Sequence, residues 1–413
     1  MHDAEVLVVG GGPAGATVAT TLARAGIDVM VTDRAHFPRT KPCAEYLSPQ
    51  ASRILDALGA LDRVEESGAA TLAGVRVRAP NGAVIAGDFI ASHGFRGYRD
   101  RGLSVRREIL DAILLDCARK AGARVREGVR ITELTRDASG RATGATALID
   151  GDFTPLRARI VVGADGLRSI IAKRAGLAYA QRWPRRLALV THYRGVGEIG
   201  EHGEMHVERD GYVGIADVGH GLTTVALVVP ATRAREIAGD RAGFLERWLR
   251  ERPHLAKRFA GAERATPVLA TGPFASHSRR AWAPGLALVG DAADFFDPFT
   301  GEGIYAAMRG GELLADAIRE SLAASTPAAA DRALSIYDAQ RRREFRGKWI
   351  VERVIGAVVG SSPLINRAAR GLAAQKDLAD LLIGVTGNFV PPSQVIRAGY
   401  LWKVFGWPTV PRT

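Results

Sequence analysis

The sequence predicts an α/β chain: a mostly parallel sheet assembled from separated segments, joined to an antiparallel sheet domain and followed by a helical C-terminal segment. Three apolar runs of strand length, at residues 5–10, 160–164 and 286–290, each lead into a glycine turn or an acid. That is the pattern of parallel strands covered on both faces. Alternating or apolar runs lie between them, GVRVRAP, LALVTHYRGV, GEMHVE, GYVGIADV and LTTVALVVP, and read as antiparallel strands. The stretches SIYDAQRRREFRGKWIVERVIGAVV and AARGLAAQKDLADLLIGV after residue 325 read as helices.

The first strand, EVLVVG, opens into Gly10, Gly11, Gly12, Pro13, Ala14 and Gly15, and residues 16–25 continue as a helix. Glycines at these positions allow a tight turn, close backbone approach to a pyrophosphate and close helix packing, while the helix N-terminus offers free N–H groups to phosphate. A second strand at residues 27–32 ends at Asp33, placed to accept hydrogen bonds from a ribose. Strand, glycines, helix, strand and terminal acid together specify a dinucleotide site of the Rossmann type. Gly195, Gly197 and Gly200 repeat the glycine spacing, but EHGEMHVER after them lacks helical periodicity. They read as loop glycines, and the obvious place for a separate nicotinamide domain disappears with them.

The strand at 160–164 runs into Asp165 and Gly166, and the strand at 286–290 into Asp291. Acids at the carboxyl ends of buried strands sit where open α/β sheets bind ligands. Asp297, Pro298 and a helix start at Gly301, Glu302, Gly303 and Ile304 follow, and such a terminus stabilises negative charge on a bound ring.

Composition excludes several classes. The 413 residues are 47% hydrophobic and 24% charged, ordinary globular values and enough chain for two or three domains. The net charge of +12 is scattered apart from Arg341, Arg342 and Arg343, so no nucleic-acid partner is expected. Cys43 and Cys117 are the only cysteines, which fits a reducing cytoplasm and neither a disulfide framework nor a metal site. The N-terminus lacks a signal-peptide pattern, and no uncharged apolar run is long enough to span a membrane.

In order, GGGPAG, GADGLRS and VGDAADFFDPFTGEGIYAAMRGG resemble the three motifs of flavoproteins with the para-hydroxybenzoate hydroxylase fold. The resemblance implies a discontinuous Rossmann-like FAD-binding domain at residues 1–72, 101–179 and 274–325. The substrate-binding β-sheet domain would be residues 73–100 and 180–273, and the helical segment 326–413. It implies FAD held by Gly10, Gly12, Pro13, Ala14 and Gly15, with Asp33 on the adenosine ribose and Asp291 on the ribitol. Gly301, Gly303 and Ile304 would lie beside the isoalloxazine, and Arg34, Val129, Asp165, Gly166, Gly290 and Pro298 are counted among the contacts. LSVRREILD resembles the segment whose Arg meets the FAD linker, matched here to Arg107 with Arg106 as runner-up. Lys41-Pro42-Cys43-Ala44-Glu45 resembles the loop on the flavin's catalytic side in the geranylgeranyl reductase-like branch, with Ala44 replacing a Gly and both Cys43 and Ala44 near the ring. Asp294 stands where many aromatic hydroxylases carry a His.

The activity implied is FAD-dependent oxidoreduction of a hydrophobic organic substrate, reducing a carbon–carbon double bond through reduced flavin. Cys43, Glu45, Tyr46 and Tyr212 are the candidate proton donors. The alternatives are monooxygenation, hydroxylating or epoxidising through a flavin C4a-hydroperoxide, and a non-catalytic prenyl-binding escort. NAD(P)H is the expected transient electron donor, with a separate reductase as the other source. His206 and Asp217 are further candidates for substrate contact. Tyr400, Leu401, Trp402, Val404, Phe405 and Trp407 with Arg397 and Lys403 form either a peripheral membrane contact or a tail helix packed on the FAD domain. Cys43 is either a proton donor beside the flavin or a small packing residue.

Overall fold

In the computed structural model, which describes residues 2–180, 183 and 185–406, the strand Ala4–Val9 lies at the centre of the first sheet. The path through this sheet is Trp282–Ala283, Leu286–Leu288, Asp152–Gly163, Ala4–Val9, Val29–Thr32 and Arg124–Arg126. All neighbours along it pair in parallel except the outermost two, Trp282–Ala283 and Leu286–Leu288. Val6, Leu7, Val8, Val161 and Val162 are 0–1% exposed, because helices cover both faces, and this is why these strands read as unbroken apolar runs. Helix Pro13–Arg24 packs beside helix Gly303–Ala323, and helix Arg107–Lys120 lies against the former.

The second sheet follows the order Glu263–Arg264, Arg186–Arg194, Thr223–Pro230, Gly211–Asp217, His202–Glu208, Gly74–Arg78 and Val84–Asp88. The expected strand runs are all present, but the sheet is not wholly antiparallel. His202–Glu208 pairs in parallel with Gly74–Arg78, since the two strands come from segments more than a hundred residues apart and need no hairpin between them.

Alternation along these strands creates two different faces. Leu189, Val213, Val225, Leu227 and Val229 point outward into a core completed by Phe244, Leu245, Trp248 and Leu255 from the helices after residue 233. Ala188, Val190, Tyr212, Ala226 and Val228 point the other way, toward the first sheet. The C-terminal helices also differ from expectation. Helices Ser362–Ala373 and Lys376–Thr386 pack on Val84–Asp88 at the edge of the second sheet, and Tyr400 and Val404 join the same core. The tail helix Ala398–Phe405 therefore packs on helix Ser362–Ala373, which itself lies on the second sheet, rather than on the first domain, while Trp402 stays 75% exposed. Trp407 lies outside the described residues. Among the described residues no helix is long and apolar enough to cross a membrane.

Candidate active site

The turn after the first strand is built from steric necessity. Gly10 has φ +107°, and a Cβ there would sit 2.4 Å from the Ala164 carbonyl oxygen. A Cβ on Gly15 would fall 1.9 Å from the Gly10 oxygen, so helix and strand close on each other only with glycine present. At Gly12 the nearest atoms are the tips of Arg39, at 3.5 Å, and Arg107, at 3.9 Å. The space in front of Gly12 is thus open and faced by guanidinium groups, the setting for a pyrophosphate at a helix N-terminus. Asp33 accepts hydrogen bonds from the N–H of Gly11 and of Ala35, both at 2.9 Å, and its carbonyl accepts the N–H of Val129. Arg34 beside it is exposed.

Basic side chains gather around the turn. Arg107, 5% exposed, grips Asp111 through two hydrogen bonds of 2.8 Å, and Arg39 approaches the same carboxylate at 3.1 Å. Burial opposes the charge on Arg107, but Asp111 and then the Cys43 sulfur more than offset it, and the guanidinium stays protonated. Lys41, its ammonium lowered by burial and then by Arg107, stands 4.0 Å from Asp291. Three cations, Arg39, Lys41 and Arg107, thus gather on the side of the turn that faces the cleft. Arg106 is instead tied to Glu108, so Arg107 is the arginine at the glycine turn.

A cleft runs from this turn to the second sheet. Gly12, Pro13, Ala14, Arg107, Gly166, Gly290, Asp291, Pro298, Gly301, Gly303 and Ile304 line it on one side, with the loop Lys41 to Tyr46. Gly10, Gly15, Asp33, Arg34, Val129 and Asp165 lie outside this lining, the first two serving the turn itself. Asp165 caps the helix Ile170–Arg174 by accepting the Ile170 N–H at 2.6 Å, leaves its Oδ1 buried without a partner, and is raised by burial. Open backbone at Gly12 and Gly303, the guanidinium groups of Arg39 and Arg107 in front of Gly12 and Asp291 in the cleft suit a flavin dinucleotide.

The cysteine loop closes one wall. Glu45 has φ +63° and is 3% exposed. Its carboxylate accepts the Arg107 N–H at 3.1 Å and meets His192 Nε2 at 2.7 Å, and His192 Nδ1 reaches Thr266 Oγ1 at 3.1 Å. The side chain thus fastens the loop to helix Arg107–Lys120 and to strand Arg186–Arg194 of the second sheet. Cys43 is half-buried and free, and its sulfur accepts the Glu45 N–H at 3.3 Å. Cys117 is also free, buried on helix Arg107–Lys120. Tyr46 packs over Gly301, where a Cβ would come within 2.7 Å of its ring. Its hydroxyl is buried without a partner and held well above the usual phenol value by burial and then by Glu302.

The opposite wall is apolar. Val190, Ala226, Gly214 and Met205 form one row across the sheet, and Ala188, Val228 and Tyr212 the next; all seven line the cleft with Thr271 and Phe274. Tyr212 lays its ring against the cleft while its hydroxyl donates to Asp297 at 2.6 Å, and burial followed by Asp297 raises it well above the usual value. Its proton is therefore committed to a carboxylate that also pairs with Arg186 at 2.9 Å.

Two expected substrate contacts fall elsewhere. His206 sits in the outward row, opposite Val213 and Arg78, one residue out of phase with the cleft, and stacks on His254 with ring centroids 5.3 Å apart. Asp217, at a strand end, accepts the Gly219 N–H at 2.8 Å and shapes a turn. Asp294 is ion-paired with Arg341 outside the cleft lining. The sequence pattern placed Lys41 in the cysteine loop without giving it a role, and it did not single out His192 or Arg39. His192 carries no local signal, whereas the two basic residues flank the quoted cysteine loop and could have been suspected from their charge.

Residues 3–347 match the family described as FAD binding domain. Among curated relatives, a digeranylgeranylglycerophospholipid reductase of Methanosarcina acetivorans is 29% identical over 353 residues, 83% of this chain and 81% of that protein. A menaquinone reductase of Mycobacterium tuberculosis is 30% identical over 326 residues, 76% of each. Among solved structures, the myxobacterial chondrochloren halogenase CndH superposes with a TM-score of 0.80 at 24% identity, covering 91% of this chain and 90% of that one. That likeness is one of fold.

Proposed function

Because the chain belongs to the FAD-binding-domain family of flavoproteins, we propose that it is an FAD-dependent reductase that saturates a carbon–carbon double bond in a long apolar, prenyl-type substrate. The observation that carries this reading is the wall of Ala188, Val190, Met205, Gly214, Ala226 and Val228 facing the Gly301 and Gly303 turn across one cleft. A wall with no charged side chain suits a hydrocarbon chain, which gains about 0.8 kcal/mol for each methylene buried. The names of the curated relatives, a digeranylgeranylglycerophospholipid reductase and a menaquinone reductase, support the same class.

When bound, FAD supplies hydride chemistry, and the protein supplies orientation, dryness and protons. In this reading Arg107, Arg39 and Lys41 hold the diphosphate in front of Gly12, and Asp291 and Asp33 take the sugar hydroxyls. Cys43 and Tyr46 are the proton donors that face the substrate. Glu45, bound to His192, positions the loop that carries them, and Tyr212 packs the cleft while its hydroxyl serves Asp297. NAD(P)H or a separate reductase supplies the electrons from outside. A cytoplasmic enzyme would meet a membrane-borne chain through the exposed Trp402 with Ile350, Val354 and Leu364, which are 38–44% exposed.

The test is anaerobic. FAD-loaded protein reduced with dithionite is mixed with a prenylated lipid or a menaquinone, and products are weighed by mass spectrometry. A gain of two hydrogens per bond is expected, and Cys43→Ala should slow product formation roughly 10²–10⁴-fold, the usual worth of a proton donor, with flavin reduction unchanged. Product that forms only when oxygen is admitted overturns the reading.

A further inference from the structure

A second cavity, of about 50 Å³, lies behind the Gly301 and Gly303 turn. Gly290, Asp291, Phe295, Gly303 and Ala307 line both this cavity and the main cleft, so they form the partition between them. The far walls carry Asp294, Asp297, Glu302, Glu352 and Arg341. Two of the acids are matched, Asp294 by Arg341 and Asp297 by Arg186 and Tyr212. The carboxyl groups of Glu302 and Glu352 make no hydrogen bond or ion pair among the described residues. Arg341 is 3% exposed at its side chain, yet its Nε and Nη2 lack a hydrogen-bond partner. Buried guanidinium donors are ordinarily hydrogen-bonded, and this polar cavity has room for an ordered water to bridge them.

We propose that Glu302, backed by Glu352, is a proton acceptor coupled to reduction of the flavin. When two electrons arrive from a nicotinamide- or dithionite-class donor, one proton accompanies them onto the flavin. A second proton, drawn from solvent through the water-bearing cavity, goes to the Glu302 carboxylate. The proposal rests on the FAD reading of the main cleft.

The physical reason is the placement of Glu302. It lies between two glycines that line the main cleft and immediately precedes helix Gly303–Ala323, which starts beside the ring site. Burial raises its carboxyl to about 7, with Lys348 opposing. Glu352 is pushed well above the ordinary range by burial and then by Glu302, Asp294 and Asp297, against Lys348. Tyr46 faces Glu302 from the cysteine loop, and Glu344 and Arg309 act on Lys348. A reduced flavin carries one more negative charge than the oxidised form, and a like charge beside a carboxyl raises it further. Glu302, ionised above about pH 7 in the oxidised protein, therefore recovers its proton on reduction.

The measurement is the midpoint potential of the FAD-loaded full chain from about pH 5.5 to about pH 9, whose slope counts protons taken up per two electrons. Below about pH 7 the wild type should take up one proton, because Glu302 already holds its own, and the slope should double above that pH. Glu302→Gln should keep the one-proton slope throughout, and Glu302→Asp should restore the doubling. A wild-type slope of one proton at every pH overturns the proposal without any variant. So does a Glu302→Gln protein whose slope matches the wild type. Absorbance separates the two claims, since protein that takes up no FAD overturns the FAD reading as well, whereas FAD-loaded protein with an unbroken slope overturns this proposal alone.

Discussion

Ala226 and Leu227 are neighbours on one strand and do opposite things. Ala226 faces the cleft beside Val190 and Gly214, and Leu227, 0% exposed, fills the outer core between Leu189 and Val213. The inner rows use Ala, Gly and Val with Met205 and Tyr212, and leave space. The outer rows use Leu and Val under Phe244 and Trp248, and leave little. Both faces are apolar, so hydrophobicity does not separate binding site from core here. Side-chain volume does, set against what lies opposite: helices lean directly on the outer face, while the inner face looks across a cleft to a glycine turn.

The comparison breaks most sharply at Leu227. Leu227→Ala empties a packed site and should cost about 2–5 kcal/mol, read as a shift in urea midpoint, while the surviving folded protein keeps its flavin spectrum. A loss below about 1 kcal/mol would mean that the outer face is as loosely filled as the inner one.

Ala226→Leu tests the other face. The added carbons enter the cleft rather than a packed core, so stability should change by less than about 1 kcal/mol, well under the usual cost of overpacking. Turnover of a long-chain substrate should suffer instead, with kcat/KM falling about 10–200-fold, as for displaced methylenes in an apolar pocket. Unchanged turnover would place the substrate elsewhere.

What the sequence disclosed, and what it concealed, follows the same division. The glycine turn, Asp33, Asp165, Asp291 and the Gly301 and Gly303 helix start were legible because each is a local device: strand, turn and helix within a dozen residues. The strands of the second sheet were legible as runs, but which of their residues faced the ligand was not. His206 and Tyr212 look equally eligible in the sequence. Register decides between them, placing His206 across from Val213 and Tyr212 across from Val228. The parallel pairing of His202–Glu208 with Gly74–Arg78 and the clasp of Glu45 on His192 are long-range events. No local pattern announces a partner 147 residues away. The unusual φ of Glu45 was hidden for the same reason, since a non-glycine residue is held there only by its surroundings.

The outer face also holds a polar cluster buried against the sheet's helices, and it yields the mildest prediction. Glu204 accepts Arg258 at 2.9 Å and His206 at 2.8 Å, which with their charges hold its carboxyl down at about 2 against its burial. His254, stacked on His206, is lowered to about 4 by burial and then by Arg78, His206 and Arg252. A histidine lowered in the folded state favours folding fully above its unfolded value, and that contribution is lost as pH falls through the folded value. Between the ordinary imidazole value of 6.5 and about 4 the unfolded chain binds a proton that the folded one refuses. The thermal midpoint of the wild type should therefore fall across this window by about 1 °C, the scale of about 1 kcal/mol in a chain of 413 residues. His254→Phe keeps a stacking ring without the proton and should flatten that part of the profile, while the loss between about pH 4.5 and about pH 2, over which Glu204 takes up its proton and releases Arg258, remains. Equal slopes for the two proteins between about pH 6.5 and about 4 would mean that His254 titrates in the folded protein as it does in the unfolded chain. The cluster would then be open to solvent, and the outer face less closed than its packing implies.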